Sequence, residues 1–114
     1  MKRQLFIYYR IPKADIALGL RRASQMAGTL KQMGLGSSQL FQREEADKPY
    51  FTLMEVIHPA PGFATCNAEF IEKLEQLARA CFADLPTMPC RHVELFSELS
   101  EEPNKSQPNN EVSG

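Results

Sequence analysis

The chain has no tryptophan, two histidines and three cysteines. Each shortage removes a class of explanation. Cys66, Cys81 and Cys90 are odd in number and none has C-x-x-C spacing, which argues against a disulfide framework and against a structural zinc site. Cys81 falls on an apolar helical stripe and reads as packing, whereas Cys66 stands near a helix start, where the dipole would lower a thiol pKa. No stretch approaches the roughly 18 to 20 apolar residues of a membrane span, and Met1-Lys2-Arg3 leads into a short apolar segment that soon reaches Arg10. Neither a span nor a signal peptide is expected, and the location expected is the cytoplasm. Charge of one sign is also scarce. The net charge is −1, and from Glu98 onward four acids (Glu98, Glu101, Glu102, Glu111) face one base, Lys105, which leaves +2 on residues 1–97. A near-neutral body without a basic stripe has little electrostatic drive toward nucleic acid.

What is present suits a globular domain: 114 residues, 43% hydrophobic and 24% charged, enough to bury one core. The run "QLFIYYRI" is rich in aromatic and β-branched residues and stops at Pro12, as a strand would. Asp15 can cap a helix in which Ile16, Leu20, Ala23, Ala27 and Leu30 recur at helical spacing, and Gly34 with Leu35 provides its C-terminal stop. "SQLFQREEA" has only Leu40 and Phe41 as large apolar residues and reads as an edge strand. After the turn "ADKP", "YFTLMEVIHP" reads as a central strand, and the loop "PAPG" as irregular chain. With Thr65 or Asn67 as cap, Phe70, Leu74, Leu77, Cys81 and Phe82 mark a second amphipathic helix, and "CRHVELFSEL" is the last strand. From residue 98 the chain is expected to be a disordered, polar, acidic tail, leaving residues 1–97 as a single domain.

The order β-α-β-β-α-β, with right-handed crossovers that put both helices on one side, predicts an α+β ferredoxin-like sandwich. Its four-stranded antiparallel sheet has the order 4-1-3-2 and one uncovered face. Alternation assigns that face. On strand one, Leu5, Ile7, Tyr9 and Ile11 turn inward and Phe6, Tyr8 and Arg10 outward. On strand four, Val93 and Leu95 turn inward, with Arg91 of the same parity, and His92, Glu94 and Phe96 outward. Strand three is apolar on both sides. We assign Thr52, Met54 and Val56 inward, which places Phe51, Leu53, Glu55 and Ile57 outward. A simple register then sets Phe6 near Phe96, Tyr8 near Glu94 and Arg10 near His92, with Glu55 beside Tyr8 on a neighbour taken as parallel.

The face divides into an apolar end, Phe6, Phe51, Leu53 and Phe96, and a polar cluster of Tyr8, Arg10, Glu55, His92 and Glu94, with Arg43 nearby. A flat apolar patch calls for a cover, since each large side chain left in water forgoes roughly 1.5 to 3 kcal/mol of burial. The cover expected is a second copy, face to face, and the polar cluster is the expected seat of any small-molecule ligand. Three sharper readings compete. His92, Glu94, Glu55 and His58 offer donors for a metal, but His-x-Glu on a strand is a weak signal and Arg10 offsets the acids, so neither metal nor cofactor is expected. His92 poised by an acid could move a proton, yet the same residues make a hydrogen-bonded interface patch, and no catalytic set is assigned. Outward aromatics could stack RNA bases, but "KPYFTLME" lacks the Gly-aromatic pattern of such domains.

Taken together, "FIYYRIP", "LMEVI" and "RHVELF" resemble a family of short bacterial proteins catalogued as a domain of unknown function. The likeness spans residues 4–97 and rests on Tyr8, Tyr9, Arg10, Met54, Glu55, Arg91, His92, Glu94 and Phe96; at Leu53 members often have an aromatic. That family implies no activity. At the level of fold the chain is also similar to the dimeric α+β barrel group, which includes cofactor-free monooxygenases. This similarity makes a small enzyme of that type the alternative to a homodimeric binding module.

Overall fold

The computed structural model describes residues 2–99. Strand β1 (Arg3–Pro12) gives way to a single 3₁₀ turn at Lys13–Asp15 and then to helix α1 (Ile16–Gln32), because Pro12 cannot donate to a continued ladder. Helix α1 ends as its sequence dictates. Gly34 adopts φ +70°, its N–H donates to the Lys31 carbonyl, and the Leu35 N–H donates to the Leu30 carbonyl, which forms a Schellman cap. Strand β2 (Gly36–Glu44) starts beside the chain at His58–Ala60, so close that a Cβ on Gly36 would meet the His58 carbonyl oxygen. Strand β3 (Tyr50–Pro59) is followed by a 3₁₀ turn at Pro61–Phe63, so "PAPG" leads into one regular turn where irregular chain was expected. The side chain of Asn67 accepts from the Phe70 N–H at 2.9 Å and opens helix α2 (Ala68–Cys81); strand β4 (His92–Ser97) closes the fold.

The sheet order is β2-β3-β1-β4, which is the expected order read from the other edge, with the polar β2 on the rim. Every neighbouring pair is antiparallel, including β1 with β3, for which a parallel pairing was expected. Both helices lie on one face. Ala23, Met26 and Leu30 of α1 and Phe70, Leu74 and Ala78 of α2 close over Leu5, Ile7, Tyr9 and Ile11 of β1. Burial of these side chains out of water, at about 25 cal/mol per Å² of apolar surface, is the main favourable term.

Two further expectations are corrected. Strand β3 faces the opposite way from its assignment: Leu53 and Ile57 are core residues, Glu55 is 2% exposed, and Phe51 pairs with Ile11 on the helix side. The cause is the pairing with β1. Ile57, Glu55 and Leu53 stand opposite Leu5, Ile7 and Tyr9, and directly opposed residues share a face. The register of β4 is also displaced by two residues, with Phe6 opposite Glu94, Tyr8 opposite His92 and Gln4 opposite Phe96. An even displacement keeps the facing, so His92, Glu94 and Phe96 remain outward. The tail expected from residue 98 lies, from residue 100 on, outside the described residues. No helix among the described residues is long and apolar enough to cross a membrane.

Candidate functional site

Four of the five residues expected in the polar cluster share the open face: Tyr8, Arg10, His92 and Glu94. The Tyr8 and His92 rings stack at 5.0 Å with an interplanar angle of 22°, and the Tyr8 hydroxyl reaches Glu94 Oε2 at 3.4 Å. Pairing with β4 stops at Tyr8, so Arg10 lies beyond the end of β4 and opposite Thr52, and its guanidinium sits 4.6 Å from the centre of the Tyr50 ring. The fifth, Glu55, is on the other side of the sheet.

Beyond the end of β4 the surface opens into a cleft of about 630 Å³. Its floor is the open face at Tyr8, Arg10, Thr52 and His92; the segment Thr87–Cys90 and the β3 start at Pro49 and Tyr50 line it further. Arg43 also lines it and donates through Nε to Glu45 Oε2 at 2.7 Å, and the Thr52 hydroxyl donates to the same oxygen at 3.0 Å. These two bonds, Arg43 first, hold the Glu45 carboxyl below the usual range. Among the described residues no Asp or Glu lines the cleft. Among the described residues no three His, Cys, Asp or Glu side chains gather where they could hold a metal ion.

The apolar end has different members from those expected. Phe6 and Phe96 meet edge to face at 5.0 Å, but Leu53 and Phe51 have gone to the helix side. Their places are taken by the outward set of β3, Met54 and Val56, and by Phe41 of β2, which stands opposite Met54. Phe41 is 53% and Phe96 54% exposed.

The residue that sequence reasoning missed is Arg91. It immediately precedes β4 with inward parity, and its side chain is 4% exposed. Nη1 and Nη2 donate to the two Glu55 oxygens at 2.8 and 3.0 Å, and Nε donates to Glu75 of α2 at 3.1 Å. The Tyr9 hydroxyl donates to Glu55 Oε2 at 2.5 Å. Burial would lower the Arg91 pKa, but the hydrogen bonds and charge of Glu55, with that of Glu75, outweigh it and raise it. Burial and then the Glu55 charge push the Tyr9 hydroxyl well above its ordinary value. The signal was available: an arginine assigned inward needs an anion, and Glu55 is the one acid within an apolar strand. Cys66 is buried, with φ +50°, and burial pushes its thiol up, against the lowering that a nearby helix start could have given.

No family model matches the chain, and no curated protein matches it. Among solved structures, the de novo designed protein Foldit4 is similar over 87% of this chain and 100% of its own, at 14% identity and a TM-score of 0.57. A conserved protein of unknown function from Bacteroides thetaiotaomicron, described as a possible oxidoreductase, is similar over 82% of this chain and 94% of its own, at 16% identity and a TM-score of 0.50. SnoaB, a cofactor-independent oxygenase from Streptomyces nogalater, aligns over 90% of this chain and 99% of its own at 15% identity and a TM-score of 0.48. The first two likenesses establish the fold: a small α+β domain with an open four-stranded antiparallel sheet and two helices on one face.

Proposed function

We propose that the protein is a cytosolic binding module that pairs with a second copy through its open sheet face and holds a small molecule at the polar end of that face. The observation that carries this is the division of one surface, left open by the described residues, into an apolar patch and an adjoining cleft. Phe6, Phe41, Met54, Val56 and Phe96 lie on the face without helices, and Arg10, Arg43 and His92 line the cleft beside them. Pairing would bury the two exposed phenylalanines, each at about 1.5 to 3 kcal/mol, and would roof the cleft. A likeness to a family of unknown function agrees with this reading and adds no activity to it. Base stacking is less well served, because Val56, and no aromatic residue, stands opposite Phe6.

Sedimentation velocity tests the pairing. The wild-type chain is expected as a dimer, and Phe41→Asp and Phe96→Asp as folded monomers; a wild-type monomer at high micromolar concentration would reject the reading. A second reading, a small enzyme of the cofactor-free oxygenase type, draws on the description of the Bacteroides protein as a possible oxidoreductase and on the Tyr8 and His92 pair at the cleft. Oxygen uptake with quinol substrates that disappears in His92→Ala would favour the enzyme over the module.

A further inference from the structure

We infer that the cleft beyond the end of β4 takes a small planar organic carboxylate, with Arg10 receiving its charge; this rests on the open face being a binding surface. The charges are already sorted. Arg43 and Glu45 are paired at 2.7 Å, and Thr52 donates to the same carboxylate. Arg10 has no carboxylate within 4.0 Å among the described residues, acts on Glu45 only through space as the smallest of the influences on that carboxyl, and lies against the Tyr50 ring. Stacking on an aromatic face leaves a guanidinium's edge free for the two parallel N–H bonds that match a carboxylate.

The remaining surface selects shape. The Tyr8 and His92 rings, 5.0 Å apart and inclined by 22°, supply flat aromatic surface beside Arg10, and Pro12, Pro49, Met88 and Pro89 complete an apolar lining. At about 630 Å³ the space falls in the range of small-ligand sites. A phosphate would call for several donors converging on one point. Here Arg10 makes no ion pair among the described residues, Arg43 is held by Glu45, and the rest of the lining is aromatic, apolar or the side chains of Thr52, Thr87, Cys90 and His92, which suits a monoanion with a flat body.

Amide-resolved NMR titration of the full chain with 2-naphthoate, 2-naphthamide and inorganic phosphate separates the possibilities. Naphthoate is expected to shift Tyr8, Thr52 and His92 and to bind about ten-fold more tightly than the isosteric amide, the scale of one charge-assisted hydrogen bond. Arg10→Gln should remove about that factor, and Arg79→Gln, which deletes a cation on the outer surface of α2, should not. Equal affinity for acid and amide, phosphate binding as tightly as naphthoate, an unchanged Arg10→Gln, or an equal loss in Arg79→Gln would each overturn the assignment. If naphthoate leaves the cleft resonances unmoved while the chain sediments as a dimer, the ligand class fails and the pairing surface stands. If the chain sediments as a monomer and still binds naphthoate through Arg10, the pairing surface fails and the ligand class stands.

Discussion

Tyr9 and Tyr8 are consecutive residues of β1, and each meets an acid and a basic side chain, but on opposite faces of the sheet. Tyr9 points into the helix layer and donates to Glu55, which Arg91 grips with two N–H bonds while Glu75 takes the third. Tyr8 points outward, stacks on His92 and reaches Glu94 at 3.4 Å. The groups are alike in kind and differ in their access to water. Inside, each polar atom must find a partner in the protein, because an unpaired buried charge has none elsewhere, so the network is closed. Outside, water satisfies whatever is left over, and Arg10 can do without an ion-pair partner among the described residues. The same alternation of one strand therefore makes a structural lock on one face and a receptive surface on the other.

The comparison breaks first at Arg91. Truncating it to Ala leaves Glu55 buried without its cation, and removal of one partner of a buried pair typically costs about 3 to 5 kcal/mol. Urea denaturation is expected to show an unfolding free energy lower by that amount, read as an earlier midpoint with an unchanged slope. Replacing Glu55 and Arg91 together by Leu and Met, with Tyr9→Phe so that no buried hydroxyl is orphaned, should recover much of the loss, since the pair's attraction was offset by its desolvation. If Arg91→Ala were as stable as wild type, the buried network would not be what separates the two faces. Arg91 also follows the Thr87–Cys90 wall of the cleft directly, so the lock on one face helps to hold the edge of the site on the other.

The next effect is smaller and depends on pH. Tyr9 is held well above the ordinary tyrosine value of 10.0 by burial and then by the Glu55 charge. Above about pH 10 the unfolded chain gives up this proton and the folded chain keeps it, so the folded state binds more protons and stability falls as pH rises. Below that pH the contribution is fully present. Tyr9→Phe should lower stability near neutral pH by about 1.5 to 3 kcal/mol, the range for a hydrogen bond to a charged group, and flatten the alkaline decline. Denaturation midpoints for both proteins between about pH 8 and about pH 11 check it; an identical alkaline slope would mean that Tyr9 does not control it.

These residues also mark where the sequence could be read and where it could not. Helix α1 was legible because its stop is local: Gly34 and Leu35 carry the cap by themselves. The edge position of β2 was legible from its polarity. The facing of β3 was not, because both of its alternating sets are apolar and nothing local decides between them. What turns Glu55 inward is an arginine more than thirty residues away, and only long-range packing reveals that pairing. The β1 to β4 register was equally out of reach, since no short turn joins these strands to fix it. The facing of β4 survived the error because the displacement was even. Hence Tyr8, Arg10, His92 and Glu94 were assigned to the face they occupy, while Glu55, Phe51 and Leu53 were assigned to the wrong one.

The smallest expected effect sharpens the comparison most. Glu94→Gln removes a charge that touches only an exposed hydroxyl at 3.4 Å, a long and solvent-shared contact, and should change stability by less than about 0.5 kcal/mol. A double-mutant cycle over Tyr8 and Glu94 should give coupling near zero, against about 1 kcal/mol or more over Tyr9 and Glu55. Both cycles use the same tyrosine-to-carboxylate chemistry on neighbouring positions of one strand, so any difference between them measures burial. Equal couplings would mean that the open face is as closed to water as the core, and an uncommitted Arg10 would then have no solvent to sustain it.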